Sequence, residues 1–228
     1  MDDKLINKKV EKLNRYYKKI SKKNLTSIEQ IHKLRTKTRE LISLVSRKTP
    51  FYKKLKKIIK LSNEIRDIDV FNSVFLDSLP KKYKKLIDLK DIEKQTQSQR
   101  ETDIKKLFKF LKKFDFSAYI IEKKSDPDYA VGLEKPPLIF AQKELHKYRI
   151  YIKTKLYILQ NNSPSEKEKI EQYTLIKDHL GNINDNFNAQ TRLEFFDIHK
   201  KDLKLIKKYI YKQNMNYFKS IEKLNNII

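Results

Sequence analysis

Two short stretches of sequence decide the fold of this chain. Residues 32–39 read His-Lys-Leu-Arg-Thr-Lys-Thr-Arg, and residues 146–153 read His-Lys-Tyr-Arg-Ile-Tyr-Ile-Lys. Each stretch is followed by a segment that carries carboxylates, at residues 63–70 (Asn-Glu-Ile-Arg-Asp-Ile-Asp-Val) and at residues 181–187 (Gly-Asn-Ile-Asn-Asp-Asn-Phe). The order of the two elements is the same and their spacing is nearly the same, which predicts an internal repeat of helical units.

On a helix, where successive residues are about 100° apart, the basic residues of each stretch fall on one stripe within about 60° of the histidine. We call these stripes the first row (His32, Arg35 and Arg39) and the second row (His146, Arg149 and Lys153). Apolar residues occupy the adjoining face of each helix, so each helix is predicted to pack one face inward. Three cations this close repel one another, and they persist most naturally where a polyanion or nearby carboxylates neutralise them.

The rest of the chain also has the spacing of amphipathic helices, with apolar residues three and four apart. The predicted helices cover residues 2–22, 26–47, 50–78, 91–114, 138–161, 165–199 and 202–228. Thr26 or Ser27 is expected to cap the second helix with help from Glu29 and Gln30, and Pro50 to open the third. Strand-like alternation is sustained nowhere, so the predicted fold class is all-α.

The composition of residues 125–137 differs from the rest, with four acidic or glycine positions and three prolines. Such a stretch is typical of a link between structural halves. We therefore predict a first helical half at residues 1–124, a linker at 125–137 and a second helical half at 138–228.

Composition excludes several classes of function. The chain has 53 Lys+Arg against 29 Asp+Glu, a formal charge of +24, with 2 Gly and no Cys. Phosphate-binding glycine loops and nucleophile elbows need glycines that are missing here, and thiol catalysis and zinc–cysteine sites need cysteine. The charge predicts a polyanionic partner, although the predominance of lysine is also typical of an AT-rich genome.

These motifs together resemble the CHAD domain, an α-helical family named for a histidine on its helices. The family's first half has His-x-[Leu/Met]-Arg-x-x-[Thr/Ser]-Arg followed one helix later by Arg-Asp-[Leu/Ile]-Asp-Val, and its second half has His-x-x-Arg-x-x-x-Lys, a downstream Tyr, and then Leu-Gly-x-x-Asn-Asp. The matching residues here are His32, Leu34, Arg35, Thr38 and Arg39, then Arg66, Asp67, Ile68, Asp69 and Val70, then His146, Arg149, Lys153 and Tyr157, and finally Leu180, Gly181, Asn184 and Asp185.

The resemblance implies two antiparallel helical bundles related by pseudo-two-fold symmetry, with a basic central cavity that binds inorganic polyphosphate. It also implies an association with polyphosphate granules. The expected ligand-binding residues are the two rows and Arg66, because arginine can bind non-bridging oxygens in a bidentate manner while lysine and histidine add charge and donors.

Two interpretations of the carboxylates Asp67, Asp69 and Asp185 stay open at this point. They either orient the arginines of the rows as supporting partners, or they ligate Mg²⁺ that bridges to phosphate. His179 and His199 are interpreted as ordinary core or surface residues. Residues 107–110 (Leu-Phe-Lys-Phe) are interpreted as core rather than as a platform for base stacking.

We expect a binding protein rather than an enzyme, with no metal and no cofactor. Nucleic acid is the rival ligand, but no helix-turn-helix, RNA-binding strand motif or zinc finger supports it. Phosphohydrolysis, or a scaffold that recruits an acidic partner protein, are the remaining alternatives. No apolar run reaches the roughly 18 residues that a membrane span needs, so no membrane partner and a cytoplasmic location are expected.

Overall fold

The computed structural model describes residues 3–23, 26–42, 45–114, 116, 136–137, 140–162 and 164–225. Across these ranges the regular structure is helical and no β-strand is present, which confirms the all-α prediction. The helices are α1 Asp3–Lys23, α2 Ile28–Ile42, α3 Pro50–Val70, α4 Lys81–Lys84, α5 Leu89–Lys112, α6 Gln142–Asn162, α7 Lys167–Leu193 and α8 Lys200–Asn225, with a π-helical segment Phe71–Leu76 after α3.

Local signals account for the starts of α2 and α3. The backbone amide of Gln30 donates to Ser27 Oγ, and the backbone amide of Ser27 donates to Gln30 Oε1, so the predicted capping box forms. Thr49 caps α3 by accepting from the amide of Tyr52, and Pro50 occupies the first turn. The second helix ends at Ile42 rather than near residue 47, because the chain turns at residues 46–49 to present this cap.

The chain divides into two compact units. The first contains α1, α2, α3 and α5, and the second contains α4, α6, α7 and α8. Residues 75–89, which the sequence analysis assigns to the first half, group with the second unit, where α4 packs against α8 and the rings of Tyr83 and Tyr209 lie 4.8 Å apart. The predicted linker at 125–137 lies outside the described residues except for Pro136 and Pro137.

In the first unit, α2 packs against α1 and α3, and α5 adds to the same core. The core contains the predicted inward face of α2 together with residues of the other helices: Leu13, Ile20, Ile31, Leu34, Leu41, Phe51, Leu55, Ile58, Leu107, Phe108 and Leu111. Leu107 and Phe108 are therefore core residues, as predicted, while Phe110 is half-buried. Burial of this apolar surface is what holds the amphipathic helices together.

In the second unit, α7 packs between α6 and α8. The core consists of Leu145, Tyr148, Ile152, Ile176, Leu180, Ile183, Phe218 and Ile221. Polar pairs fix the helices within this apolar core: Tyr148 Oη donates to Asn225 Oδ1 over 2.6 Å, and Asn186 Nδ2 donates to the buried Asn214 Oδ1 over 2.7 Å. Because a buried amide is costly without a partner, these bonds help to set the pairing of α6 and α7 with α8.

None of the helices among the described residues combines the length and apolar character needed to cross a membrane.

Candidate basic ligand site

The first row divides into two exposed residues and one buried residue. His32 and Arg39 are exposed on α2, whereas Arg35 keeps only 6% of its surface accessible. The sequence pattern places the three on one stripe of the helix, but the packing of α3 covers the middle of that stripe. The row is therefore not a uniform surface in the folded chain.

Arg35 is held against α3 by its guanidinium. Nη1 donates to Ser62 Oγ over 2.9 Å, to Asn63 Oδ1 over 2.8 Å and to the Ile59 carbonyl over 3.3 Å. Burial, followed by the positive charge of Arg39, lowers the pKa of Arg35 to about 10, and nearby Asp67 partly opposes that shift. Arg35 thus uses one nitrogen to join the two helices of its repeat, and its direct contact with a ligand stays a prediction.

The carboxylate Asp69 has a different partner from the one its place in the motif suggested. Its Oδ1 accepts from Arg100 Nε of α5 over 2.6 Å, and Arg100 Nη2 donates to the Thr26 carbonyl over 2.7 Å. Asp69 is 3% exposed and its second oxygen, Oδ2, is buried with no hydrogen-bond donor. Asp69 therefore does not orient the arginines of the first row; it ties α3 to α5 and to the segment that precedes α2.

Asp67 agrees better with the interpretation as a supporting carboxylate, because its charge acts on Arg35. Arg66, its neighbour, is half-buried within the continuous helix α3. Arg100 is the residue that the sequence analysis missed. It lies in a polar stretch of α5 without any repeat counterpart, and only its contact across 31 residues with Asp69 reveals its role.

The second row lies on α6 and is more open than the first. His146 and Lys153 are exposed and Arg149 is half-buried. The Arg149 guanidinium lies over Gly181 of α7, where a Cβ atom would stand 3.1 Å from Nη2. The glycine therefore leaves room for the guanidinium in the middle of α7, and the helix is continuous through this position.

The second row carries an unsatisfied hydrogen-bond donor. Arg149 Nε is buried and has no acceptor. Desolvation and then the charges of Arg149 and Lys153 lower the pKa of His146. The predicted carboxylate Asp185 is half-buried on α7. A buried guanidinium N–H without an acceptor is costly.

The two repeats therefore use their arginines in related ways. In each, the arginine three residues after the histidine reaches the helix that follows, meeting Ser62 and Asn63 in one copy and Gly181 in the other. In the first case, α3 supplies hydrogen-bond acceptors for Nη1 of Arg35. In the second case, α7 presents Gly181, which has no side-chain acceptor, and Nε of Arg149 is left without a partner.

Within the described part of the chain, no three His, Asp or Glu side chains come together in a way that could hold a metal ion. No protein-family model, no curated protein and no solved structure matches this chain.

Proposed function

We propose that this chain is a non-enzymatic binding protein for inorganic polyphosphate, of the kind that its resemblance to the CHAD domain implies. Side chains on helices would hold the polymer, since the chain has too few glycines for a backbone phosphate loop. The proposal includes the pseudo-two-fold arrangement, the shared cavity and the granule association that the resemblance implies, together with a cytoplasmic location.

The single observation that carries the proposal is the buried Nε donor of Arg149 within a row of positive charge. Phosphate oxygens are strong acceptors, and a charge-assisted bond from a guanidinium is about twice as strong as a neutral one. Because Nε has almost no accessible surface, the Arg149 side chain would turn outward so that a non-bridging oxygen accepts from it, and this bond would satisfy a donor that the protein leaves unsatisfied. Lys153 would add a point charge at the exposed end of the row, and His146 would gain a proton near the polyanion.

The first row would contribute through its exposed members. His32 and Arg39 are accessible to a polymer, while Arg35, braced against α3, would add positive charge behind them. Arg66 lies near enough to influence the pKa of Arg35 and would extend the basic surface of α3. Of the two interpretations of the carboxylates, the supporting role is favoured for Asp67, whose charge acts to raise the pKa of Arg35, whereas Asp69 pairs with Arg100 and follows neither interpretation.

The test is a titration with long-chain sodium polyphosphate of the wild type and of a variant that carries Arg39→Gln and Arg149→Gln. We expect the double variant to bind more weakly and with a shallower dependence on salt, since each lost phosphate contact reduces that slope by about 0.7. The control is Lys200→Gln with Lys204→Gln, which removes two exposed charges from α8. Circular dichroism checks that the helical content of every variant is unchanged.

Three results would overturn the proposal. The first is the absence of polyphosphate binding by the wild type. The second is displacement of bound polyphosphate by duplex DNA at equal phosphate concentration, which would favour nucleic acid as the ligand. The third is release of phosphate during incubation with polyphosphate and Mg²⁺ or Mn²⁺, which would show an enzyme.

A further inference from the structure

A second basic surface lies in the first unit and is formed by residues that belong to neither row. The N-terminal half of α3 and the C-terminal half of α5 carry exposed lysines on the sides that face away from the core. Lys113, directly after α5, belongs to the same group. We call this surface the lysine face; its members are Lys53, Lys54, Lys56, Lys57, Lys60, Lys105, Lys109, Lys112 and Lys113.

The two helices that form the lysine face run antiparallel. At one end Asp69 of α3 meets Arg100 of α5. At the other end Lys54 and Lys57 place their Nζ atoms 5.9 and 5.1 Å from the centroid of the Phe110 ring. Phe110 therefore joins the lysines of α3 to those of α5. At a rise of about 1.5 Å per residue, the stretch of α3 from Lys53 to Lys60 is about 11 Å long.

Among the residues that the structure describes, no ion pair neutralises the positive charge of the lysine face. Residues 41–63 and 104–114 contain no Asp or Glu. Ion pairs among the described residues include Lys106 with Asp103 at the edge of the face, but none that involves the nine lysines. Like charges one turn apart destabilise a helix, so nine lysines without an ion-pair partner among the described residues favour an external polyanion.

The face also indicates which class of polyanion fits. The exposed large apolar side chains are elsewhere, at Ile28, Val74, Ile150, Leu175, Phe195, Leu205 and Tyr211. Among the described residues, the face therefore offers no fully exposed large apolar side chain for insertion into a membrane. Lysine ammonium groups lie over the Phe110 ring, so the ring is not open to a nucleic-acid base. Lysine point charges without a stacking group suit a linear phosphate chain, which has charge but no bases.

We infer that the lysine face is a second polyphosphate-binding site that operates independently of the two rows. This inference rests on the proposed function for the identity of the ligand. It goes beyond that function by assigning a stretch of the polymer to lysines that lie outside the repeat. A chain long enough to contact both sites would bind more tightly than a short one, because the second contact is then intramolecular.

The experiment compares two variants that each lose four lysines. The face variant carries Lys54→Gln, Lys57→Gln, Lys109→Gln and Lys113→Gln. The control variant carries Lys200→Gln, Lys201→Gln, Lys204→Gln and Lys208→Gln, all exposed on α8. Each is titrated with long-chain sodium polyphosphate over a range of salt concentrations, and the phosphate bound per protein is measured at saturation.

We expect the face variant to bind fewer phosphates per protein and its salt slope to fall by up to about 3, that is 0.7 for each of four contacts. At about 0.1 M salt this corresponds to about a fivefold loss of affinity per contact. The control variant should keep the wild-type stoichiometry and most of the slope. The Arg39→Gln, Arg149→Gln variant should retain the binding that the lysine face provides.

Distinct results identify which statement fails. If the wild type does not bind polyphosphate, the proposed function and this inference are both overturned. If the wild type binds but the face variant matches it in stoichiometry and slope, only the inference is overturned. Equal losses of binding in the face and control variants would show a general effect of net charge and would also overturn the inference. A face variant that loses binding to anionic lipid vesicles but keeps binding to polyphosphate would overturn it as well.

Discussion

Replacement of Gly181 by alanine should stabilise the second unit and at the same time weaken polyphosphate binding. Gly181 lies in the middle of α7, beneath the guanidinium of Arg149. An added Cβ would stand 3.1 Å from Nη2 and 3.7 Å from Cζ, which is a few tenths of an ångström too close for Nη2. The atoms in the way are the end of a flexible side chain, so the arginine would shift rather than the backbone.

The expected change in stability follows from helix propensity. Glycine in a helix interior is about 1 kcal/mol less favourable than alanine, and displacement of the guanidinium offsets part of that gain. We expect the free energy of unfolding to rise by up to about 1 kcal/mol, and the Tm by about 2–4 °C for a chain of this size.

The expected change in binding has the opposite sign. Complete loss of a hydrogen bond to a charged group costs about 1.5–3 kcal/mol, and a shift of a few tenths of an ångström forfeits part of it. Affinity for polyphosphate should therefore fall by up to about tenfold. The assay pairs urea unfolding with a polyphosphate titration, and the control is Asn182→Ala, an exposed position on the same helix that should gain stability without losing affinity.

Two outcomes would refute this reasoning. A loss of stability greater than about 1 kcal/mol would show that Arg149 cannot move away, so that its contact with α7 is rigid packing. Raised stability with unchanged affinity would show that the orientation of Arg149 over Gly181 has no part in ligand binding.

Two further predictions follow from the charged groups. Replacement of Arg100 by methionine leaves the buried carboxylate of Asp69 unpaired and should lower the free energy of unfolding, measured in urea, by about 3–5 kcal/mol. Adding Asp69→Asn to this variant should restore much of the lost stability. An unchanged stability of the single variant would contradict the assigned pair. The pKa of His146 in the free protein is lowered by desolvation and by the charges of Arg149 and Lys153, and a bound polyanion should raise this pKa. The affinity for polyphosphate should therefore increase as the pH falls from 8 to 5.5, by up to about tenfold for each unit by which the pKa rises. The His146→Gln variant should show a flatter dependence of affinity on pH. The stability of the ligand-free wild type should decrease as the pH falls through 6.5, because the unfolded chain then binds the proton more readily than the folded chain does.

Much of the fold is predictable from local patterns. A few adjacent residues determine where two helices start. The Ser27–Gln30 capping box starts α2, and Thr49 with Pro50 starts α3. The inward face of α6, with Leu145 and Tyr148, follows from three- and four-residue spacing. The end of α2 was less predictable, because apolar residues continue past Ile42 while the chain turns toward the cap of the next helix.

The candidate site is only partly predictable, because its contacts join residues far apart in sequence. The repeat identifies the residues of both rows, but their spacing gives no measure of burial. Arg35 is covered by α3 through bonds that span 27 and 28 residues. Asp69 looks like a partner for the first row until α5 brings Arg100 against it. The lysine face has the same origin, since it needs α3 and α5 to lie side by side around Phe110.

The sequence by itself determined that this chain is helical, that two of its stretches share the order of a basic segment followed by a segment with carboxylates, and that its charge exceeds what its own acids can neutralise. These properties depend on composition and on the spacing of residues within a few helical turns. Both can be read from the sequence without knowing which helices pack together. Only the tertiary structure decided how the two repeat arginines differ. Ser62 and Asn63 satisfy Arg35 Nη1, whereas Gly181 offers Arg149 space and no side-chain acceptor, because the side-chain acceptors within reach of a guanidinium depend on which residues of the neighbouring helix lie at the point of contact.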